Sequence, residues 1–433
     1  MFKTHKKIVP MKKSIHIIII AFFLTIYAYF ITKKSCFNLH MKISYFKGFD
    51  QFSYISDKQI WRNIIKDNLS RKEIATIMNK LYPYEEMNQK VFFYDPNKAV
   101  EKFVGKGIYG IEEVQKKIYE NQFVKNCSER NFLVMLDWDG GIGALIHGIG
   151  TFLAKAMNLN RTLIYYPNYR YMNLHMSKEK CKDKLGFDCF IHPITSCKFT
   201  AKEIDSNKKR FLRLGFFKGF SRTIPNSIIP IIEKSGTPKE LYFYYWRLQA
   251  TYFVLRLNEE TEKLVNEIRN KALVNPKDHY DVMIHVRHGD KHKEMKLINT
   301  KDYVYPLEII SKLLQKKLSV FVSSDDQEAI DYLINLDKKK YEFSYFNFKH
   351  HSNGYSDKKR GFDNSLQTFA DLFESAKANY LIGTLISNVD RVILELRLLY
   401  GGDMNLPFFD VSETICITFS QCKALGMVFN LIW

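Results

Sequence analysis

From residue 132 onward, short apolar runs alternate with longer amphipathic stretches, which predicts strands interleaved with helices. The segment NFLVMLDWDGGIGALIHGIGTFLAKAMNLNRTLIYYP reads as a strand from Phe132 to Leu136 and a turn bearing Gly140, Gly141 and Gly143. A helix from Ala144 to Met157 and a second strand from Thr162 to Tyr166 complete a βαβ unit. Further on, YFYYWRLQATYFVLRLNEETEKLVNEIRNKA reads as one long helical stretch ahead of the strand YDVMIHV. The helix YPLEIISKLLQKK, the strand LSVFVSS, the acidic turn Asp325-Asp326, the helix QEAIDYLINL and the short strand YEFSYFNF come next. The helix SLQTFADLFESAKA, the strand NYLIGT and a helix from Ser387 to Leu399 close the series. Such alternation implies parallel sheet covered on both faces, with a ligand beyond the strands' carboxyl ends. His285 to Lys291, Asp325-Asp326 and Thr384 to Ser387 all follow strand ends, so they are expected on one rim.

Upstream the pattern changes. Ser14 to Thr32, SIHIIIIAFFLTIYAYFIT, is almost wholly apolar and matches the ~20 residues a helix needs to cross hydrocarbon. Lys3, Lys6, Lys7, Lys12 and Lys13 precede it, and no small-x-small cleavage site follows. An uncleaved signal anchor is therefore expected, with the amino terminus cytosolic and the body in the secretory lumen. The resulting layout is a cytosolic tail (1–13), a transmembrane anchor (14–32), a stem and helical lead-in (33–125), an amino-terminal α/β lobe (126–280) and a carboxyl-terminal lobe (281–433). Golgi processing enzymes share that layout, as do some surface receptors. The stem has no sustained heptads, so nothing in it specifies an oligomer. Sequons at Asn68 and Asn126 are candidates for glycosylation, whereas Asn160-Arg161-Thr162 enters a strand and reads as a chance match.

Composition narrows the picture. With 46% apolar residues, 34 Phe and 26 Tyr, a disordered chain is excluded. A net charge of +19 suits a polyanionic partner such as nucleic acid, anionic lipid or a nucleotide diphosphate. The lysines are spread along the whole chain without an aromatic-basic module, which argues against nucleic acid. Seven cysteines (36, 127, 181, 189, 197, 416 and 422) contain no C-x-x-C pair, so a zinc site is poorly supported. Disulfides suit a lumenal body, but the pairing is not legible, and the odd count leaves one unpaired.

The densest candidate chemistry is MIHVRHGDKHKEM, where His285, Arg287, His288, Asp290 and Lys291 follow an apolar run. Arg287 and Lys291 at a sheet's carboxyl edge suit a diphosphate, since a guanidinium bridges phosphate oxygens. The plainer reading is an ion pair from Arg287 to Asp290 or Asp325 that caps the sheet. The turn at Gly141 and Gly143 lets backbone N–H groups at a helix start approach a phosphate, although glycines equally serve a tight turn. Asp137-Trp138-Asp139 mimics the D-x-D of metal-dependent glycosyltransferases, whose carboxylates hold a cation on the diphosphate.

IHVRHGDK resembles the H-V-R-R-x-D-K motif of the α1,6-fucosyltransferases. GGIGALIH with NRTLIYYPNYRY, FIHPITSC, VFVSSDD and DLFESAKANYLIGTLISNVDRVILEL resemble further segments of that family, in the same order, from about Phe132 to Leu396. The resemblance implies a GT-B-like fold of two Rossmann-like lobes that transfers fucose from GDP-fucose to a glycan or glycoprotein acceptor, with inversion and without a metal or other cofactor. An N-glycan core GlcNAc is the family's default acceptor. By the same resemblance Arg287 holds the β-phosphate, with Gly141, Gly143 and Ser387 near the phosphates. His285 and Asp371 recognise guanine, Tyr171 lies by the ribose, and Asp325 and Asp326 shape the donor cleft, with Asp326 counted among the catalytic residues. Lys291 assists the base.

This chain departs from the family where His288 replaces the second arginine. Met295 stands at the position of the family's base glutamate, which leaves Glu294 as the nearest acid and the candidate base. Two alternatives therefore stay open, a D-x-D enzyme and a catalytically silent lumenal protein that binds a nucleotide sugar or glycan. Asp371 and Ser387 also lie near helix starts, where capping alone accounts for them.

Overall fold

The computed structural model describes Ser70 and most of residues 110–411. Within that span, residues 137–140, 167–177, 182–183, 185, 215–222, 238, 240–241, 290, 292–296, 349–361, 385 and 402–407 lie outside the described residues, as does the expected anchor at 14–32. No described helix is long and apolar enough to cross a membrane. Every described residue belongs to one compact unit, residues 56–71 and 89–433.

Apolar runs become strands where both sheet faces are covered. Strand β1 (Phe132–Leu136) lies between β2 (Thr162–Tyr166) and β3 (Phe211–Leu214), all parallel. The second sheet has the order β4-β7-β6-β5-β8-β9, with β4 (Leu273–Val274), β5 (Tyr280–Val286), β6 (Leu318–Ser324), β7 (Tyr341–Phe346), β8 (Ala378–Gly383) and β9 (Phe408–Asp410). Only the two-residue β4 runs antiparallel. All of β5 is buried, as a central parallel strand requires. From β5 the chain winds outward through β6 and β7 on one side, then returns to build β8 and β9 on the other. The point where the winding reverses lies between β5 and β8, and in such sheets that is where ligands bind.

The helices are α1 (Ile111–Gln122), α2 (Ile142–Asn158), α3 (Tyr242–Val254), α4 (Glu259–Ala272), α5 (Thr300–Leu314), α6 (Gln327–Ile334), α7 (Phe362–Ser375) and α8 (Asn388–Gly401), besides shorter turns. The long helical stretch expected over 242–272 is thus two helices. Asn258 divides them. Its Oδ1 accepts from Thr261 N at 3.0 Å and caps α4, while its Nδ2 donates to Cys189 O at 2.9 Å. Helix α3 is buried nearly all round because it packs against both α2 and α8. One apolar core therefore runs from Leu133 and Leu163 of the first sheet to Met283, Phe321 and Leu381 of the second.

Two disulfides tie down the loops around the first sheet, Cys127–Cys197 and Cys181–Cys189. The first closes 70 residues, a crosslink that restricts the unfolded chain far more than the 8-residue loop of the second. The acceptor residues Asn126 and Asn160 of the two described sequons are both exposed, although Thr162 of the latter is fully buried in β2.

Candidate functional site

The register of the second sheet sets the site. Val286 lies opposite Ser324, and Ile284 opposite Ile382, so β5, β6 and β8 end at one edge. Arg287, Asp325 and Thr384 emerge there side by side. Arg287 pairs with Asp325 and keeps 15% side-chain exposure, so it sits at the rim rather than under the core. A Cβ at Gly289 would overlap the Asp325 carboxylate and lie 2.6 Å from Arg287 Nη1, so glycine makes room for the pair. Lys291 closes the turn, its N–H donating to His288 O at 2.9 Å.

One layer inward, His285 Nδ1 lies 2.8 Å from Asp390 Oδ2, with both side chains buried. The contact is close but not aligned as a hydrogen bond. Across the register, Ser323 Oγ donates to Asp371. Burial pushes the Asp371 carboxyl up to about 6, against the opposing pull of the Ser323 hydroxyl and the nearby His285.

The reversal point also brings two helix starts together. Gly141 caps α2 and Ser387 caps α8, the latter accepting weakly from Asp390 N at 3.4 Å. A Cβ on Gly143 would sit 2.9 Å from Asn388 C and 3.1 Å from Val389 N, so only glycine lets α2 lie against the first peptide of α8. Two positive helix ends from different sheets meet beside Arg287's strand. That arrangement favours an anion.

Beneath this junction lies a polar cluster that the sequence reading did not single out. Asn388 Oδ1 contacts His147 Nδ1 at 3.0 Å and accepts from Arg391 Nη1 at 3.3 Å. Glu395, wholly buried, takes Arg247 Nη2 at 2.6 Å, Thr251 Oγ1 at 2.6 Å and His147 Nε2 at 3.2 Å. Burial alone would raise the Glu395 carboxyl, but Arg247, His147 and Thr251 outweigh it and hold it at about 2. Burial, then Arg247, lowers the Arg391 guanidinium to about 9. The available signal was R-x-x-x-E inside an apolar helix, which places Arg391 and Glu395 one turn apart.

Of the expected site residues, Arg287, His285, Asp325, Ser387, Gly141 and Gly143 thus lie along one edge and its junction with α2, while Asp371 reaches Ser323 from the carboxyl-terminal half of α7, not from a helix start where capping would account for it. Asp326 is held at both oxygens. Oδ1 accepts from Glu328 N at 3.0 Å to cap α6, and Oδ2 lies 2.6 Å from His288 Nδ1. Tyr171, Glu294 and the Asp137-Trp138-Asp139 triplet lie outside the described residues. Among the described residues no group of three His, Cys, Asp or Glu side chains is placed to hold a metal ion.

No protein-family model and no curated protein matches the sequence. The chain is loosely similar in structure to the NodZ alpha-1,6-fucosyltransferase soaked with GDP-fucose, at 14% identity over 62% of this chain and 92% of that one, TM-score 0.36. It is similar to POFUT1 in complex with GDP-fucose at 12% identity over 65% and 98%, TM-score 0.33. A variant of Arabidopsis thaliana FUT1 in complex with GDP gives 11% identity over 75% and 80%, TM-score 0.35. Likenesses this distant describe those proteins alone.

Proposed function

We propose that this chain is a glycosyltransferase that moves fucose from GDP-fucose to a glycan hydroxyl, by default the core GlcNAc of an N-glycan, with inversion and without a metal. The observation that carries the reading is the meeting of two helix starts, at Gly143 and Asn388, beside the strand that delivers Arg287. Leaving GDP gains negative charge. Backbone N–H groups at the starts of α2 and α8 and the Arg287 guanidinium, held by Asp325 at the rim, would stabilise that charge as it develops. Ser323 and His285 lie deeper on the same sheet, with Asp371 of α7 bonded to Ser323, and the three offer donors and acceptors for a base edge. Lys291, with Glu294, would assist removal of the acceptor's proton. The two disulfides favour an oxidising compartment, in line with a type II, single-pass Golgi enzyme whose body is lumenal.

The test uses the full chain in detergent with a panel of nucleotide sugars. GDP-fucose is expected to raise the melting temperature most, because a ligand at a hundredfold its Kd adds about 2.7 kcal/mol. Transfer or hydrolysis is expected to survive a chelator and an Asp137→Ala change. Activity that requires an added divalent ion and vanishes in Asp137→Ala would replace this reading with the D-x-D one. GDP-fucose binding without turnover would identify the silent binder instead.

A further inference from the structure

His288 stands where the resembled motif has an arginine, and all its polar groups are engaged. Its N–H donates to Asp325 Oδ1 at 2.8 Å, and its carbonyl accepts from Lys291 N at 2.9 Å. On the ring, Nδ1 lies 2.6 Å from Asp326 Oδ2, and Nε2 lies 2.7 Å from the Ile298 carbonyl. A carbonyl oxygen only accepts, so Nε2 must carry a proton. Asp326 is fixed as a carboxylate, because it caps α6 through its other oxygen at the positive end of that helix. Nδ1 must then be protonated too. Turning the ring over would place carbons against both oxygens, so the geometry admits no neutral tautomer that satisfies both contacts.

We propose that His288 is a protonated positioning residue, an imidazolium riveted between Asp326 and Ile298 that keeps a second cation beside Arg287 and fixes the turn bearing Lys291. The inference rests on the donor reading above for what that cation serves, but not for its charge. The ring meets Asp326 at the end of β6 and the Ile298 carbonyl ahead of α5, whose first turn carries Asp302, while Asp325 takes the His288 backbone N–H and Arg287 and Lys291 flank the ring in sequence. The carboxylates favour the charged ring, and the Asp325 carboxylate, paired with Arg287, offsets that cation's repulsion of the ring. Loss of the ring proton would remove one of the two ring bonds and one unit of positive charge. Binding of a diphosphate should therefore weaken as pH rises, whereas an arginine at this position would keep its charge throughout.

Two measurements on the full chain test this. Nitrogen NMR of selectively labelled histidine should show, for the resonance lost in His288→Gln, both ring nitrogens protonated at neutral pH. A neutral ring there would overturn the proposal. Binding of GDP between about pH 7 and about 9, above the range where Asp371 and the terminal phosphate ionise, should weaken roughly tenfold in the wild type and stay flat in His288→Arg. His288→Gln should bind weakly at every pH, by a similar factor. If His288→Arg follows the wild-type pH profile, or if His288→Gln loses only thermal stability while GDP affinity is unchanged, the positioning role is overturned. Failure of the wild type to bind GDP at any pH would overturn the donor reading and the role with it. The nitrogen spectrum would still decide the imidazolium on its own.

Discussion

The two edges of the six-stranded sheet use the same residue types to opposite ends. At the amino edge, Glu374 is buried and receives three donors, Tyr280 Oη at 2.7 Å, Lys377 Nζ at 2.6 Å and Arg269 Nε at 2.9 Å. Every group points at one carboxylate, and the cluster joins α4, α7 and the starts of β5 and β8. At the carboxyl edge the charges are spread along the rim. Arg287 pairs with Asp325, His288 with Asp326, and two helix starts face the reversal point with backbone N–H groups. A network that converges on one buried charge is costly to break, because removing one partner leaves the others buried and uncompensated. Pairs strung along a rim with some exposure add little stability and leave charge where a ligand can use it.

That contrast sets what each edge should do when altered. The largest effect is expected from Arg287→Ala, which should lower the proposed fucosyl transfer by about a thousandfold while the melting temperature barely moves. A large stability loss with intact turnover would show that the carboxyl edge is structural like the other. Next, Glu374→Ala strands Arg269 and Lys377 and should cost about 3–5 kcal/mol in denaturant unfolding, with GDP affinity of the folded fraction unchanged. Gly143→Ala pushes a methyl into the backbone of Asn388, which cannot yield as a side chain could, so about 1–3 kcal/mol is expected. Here weakened GDP binding, by calorimetry, should accompany the stability loss, since the two helix starts must part.

The smallest effect is linked to pH. The folded chain holds the Asp371 proton more tightly than the unfolded one, whose value is near 3.8. Its favourable contribution is therefore complete below that value and lost as pH rises through about 6. At neutral pH the ionised carboxyl costs stability, so Asp371→Asn should gain about 1–2 kcal/mol there and almost nothing near pH 4. Equal gains at both pH values would show that ionisation is not the cause. Reduced GDP affinity in the same variant would mark Asp371 as a residue whose instability serves binding.

Most of the rim was legible before folding. Strand ends can be found from a short apolar run and a stop signal, and parallel sheets bring carboxyl ends together, so His285, Arg287, Asp325 and Ser387 fell on one edge by topology alone. Short or long-range features were not. Strands β3, β4 and β9 are too brief for a period to register. The break between α3 and α4 depends on Asn258 reaching Cys189, 69 residues away, which no local propensity encodes. The cluster under the junction was hidden because His147 and Glu395 are 248 residues apart. Read singly, each is only a polar residue in an apolar helix.

The alternation of apolar runs and amphipathic stretches was enough to determine parallel α/β architecture and which residues end each strand, because both follow from the local geometry of side chains on strands and helices. Which strands became neighbours, and so where the winding reverses, was decided only by packing. So were the close approach of Gly143 to Asn388 and the pair of acceptors that charges His288. The acceptors on His288 come together through the pairing of β5 with β6 and the turn before α5, whereas Gly143 and Asn388 are far apart in the chain and meet only when burial of the shared core draws α2, α3 and α8 together.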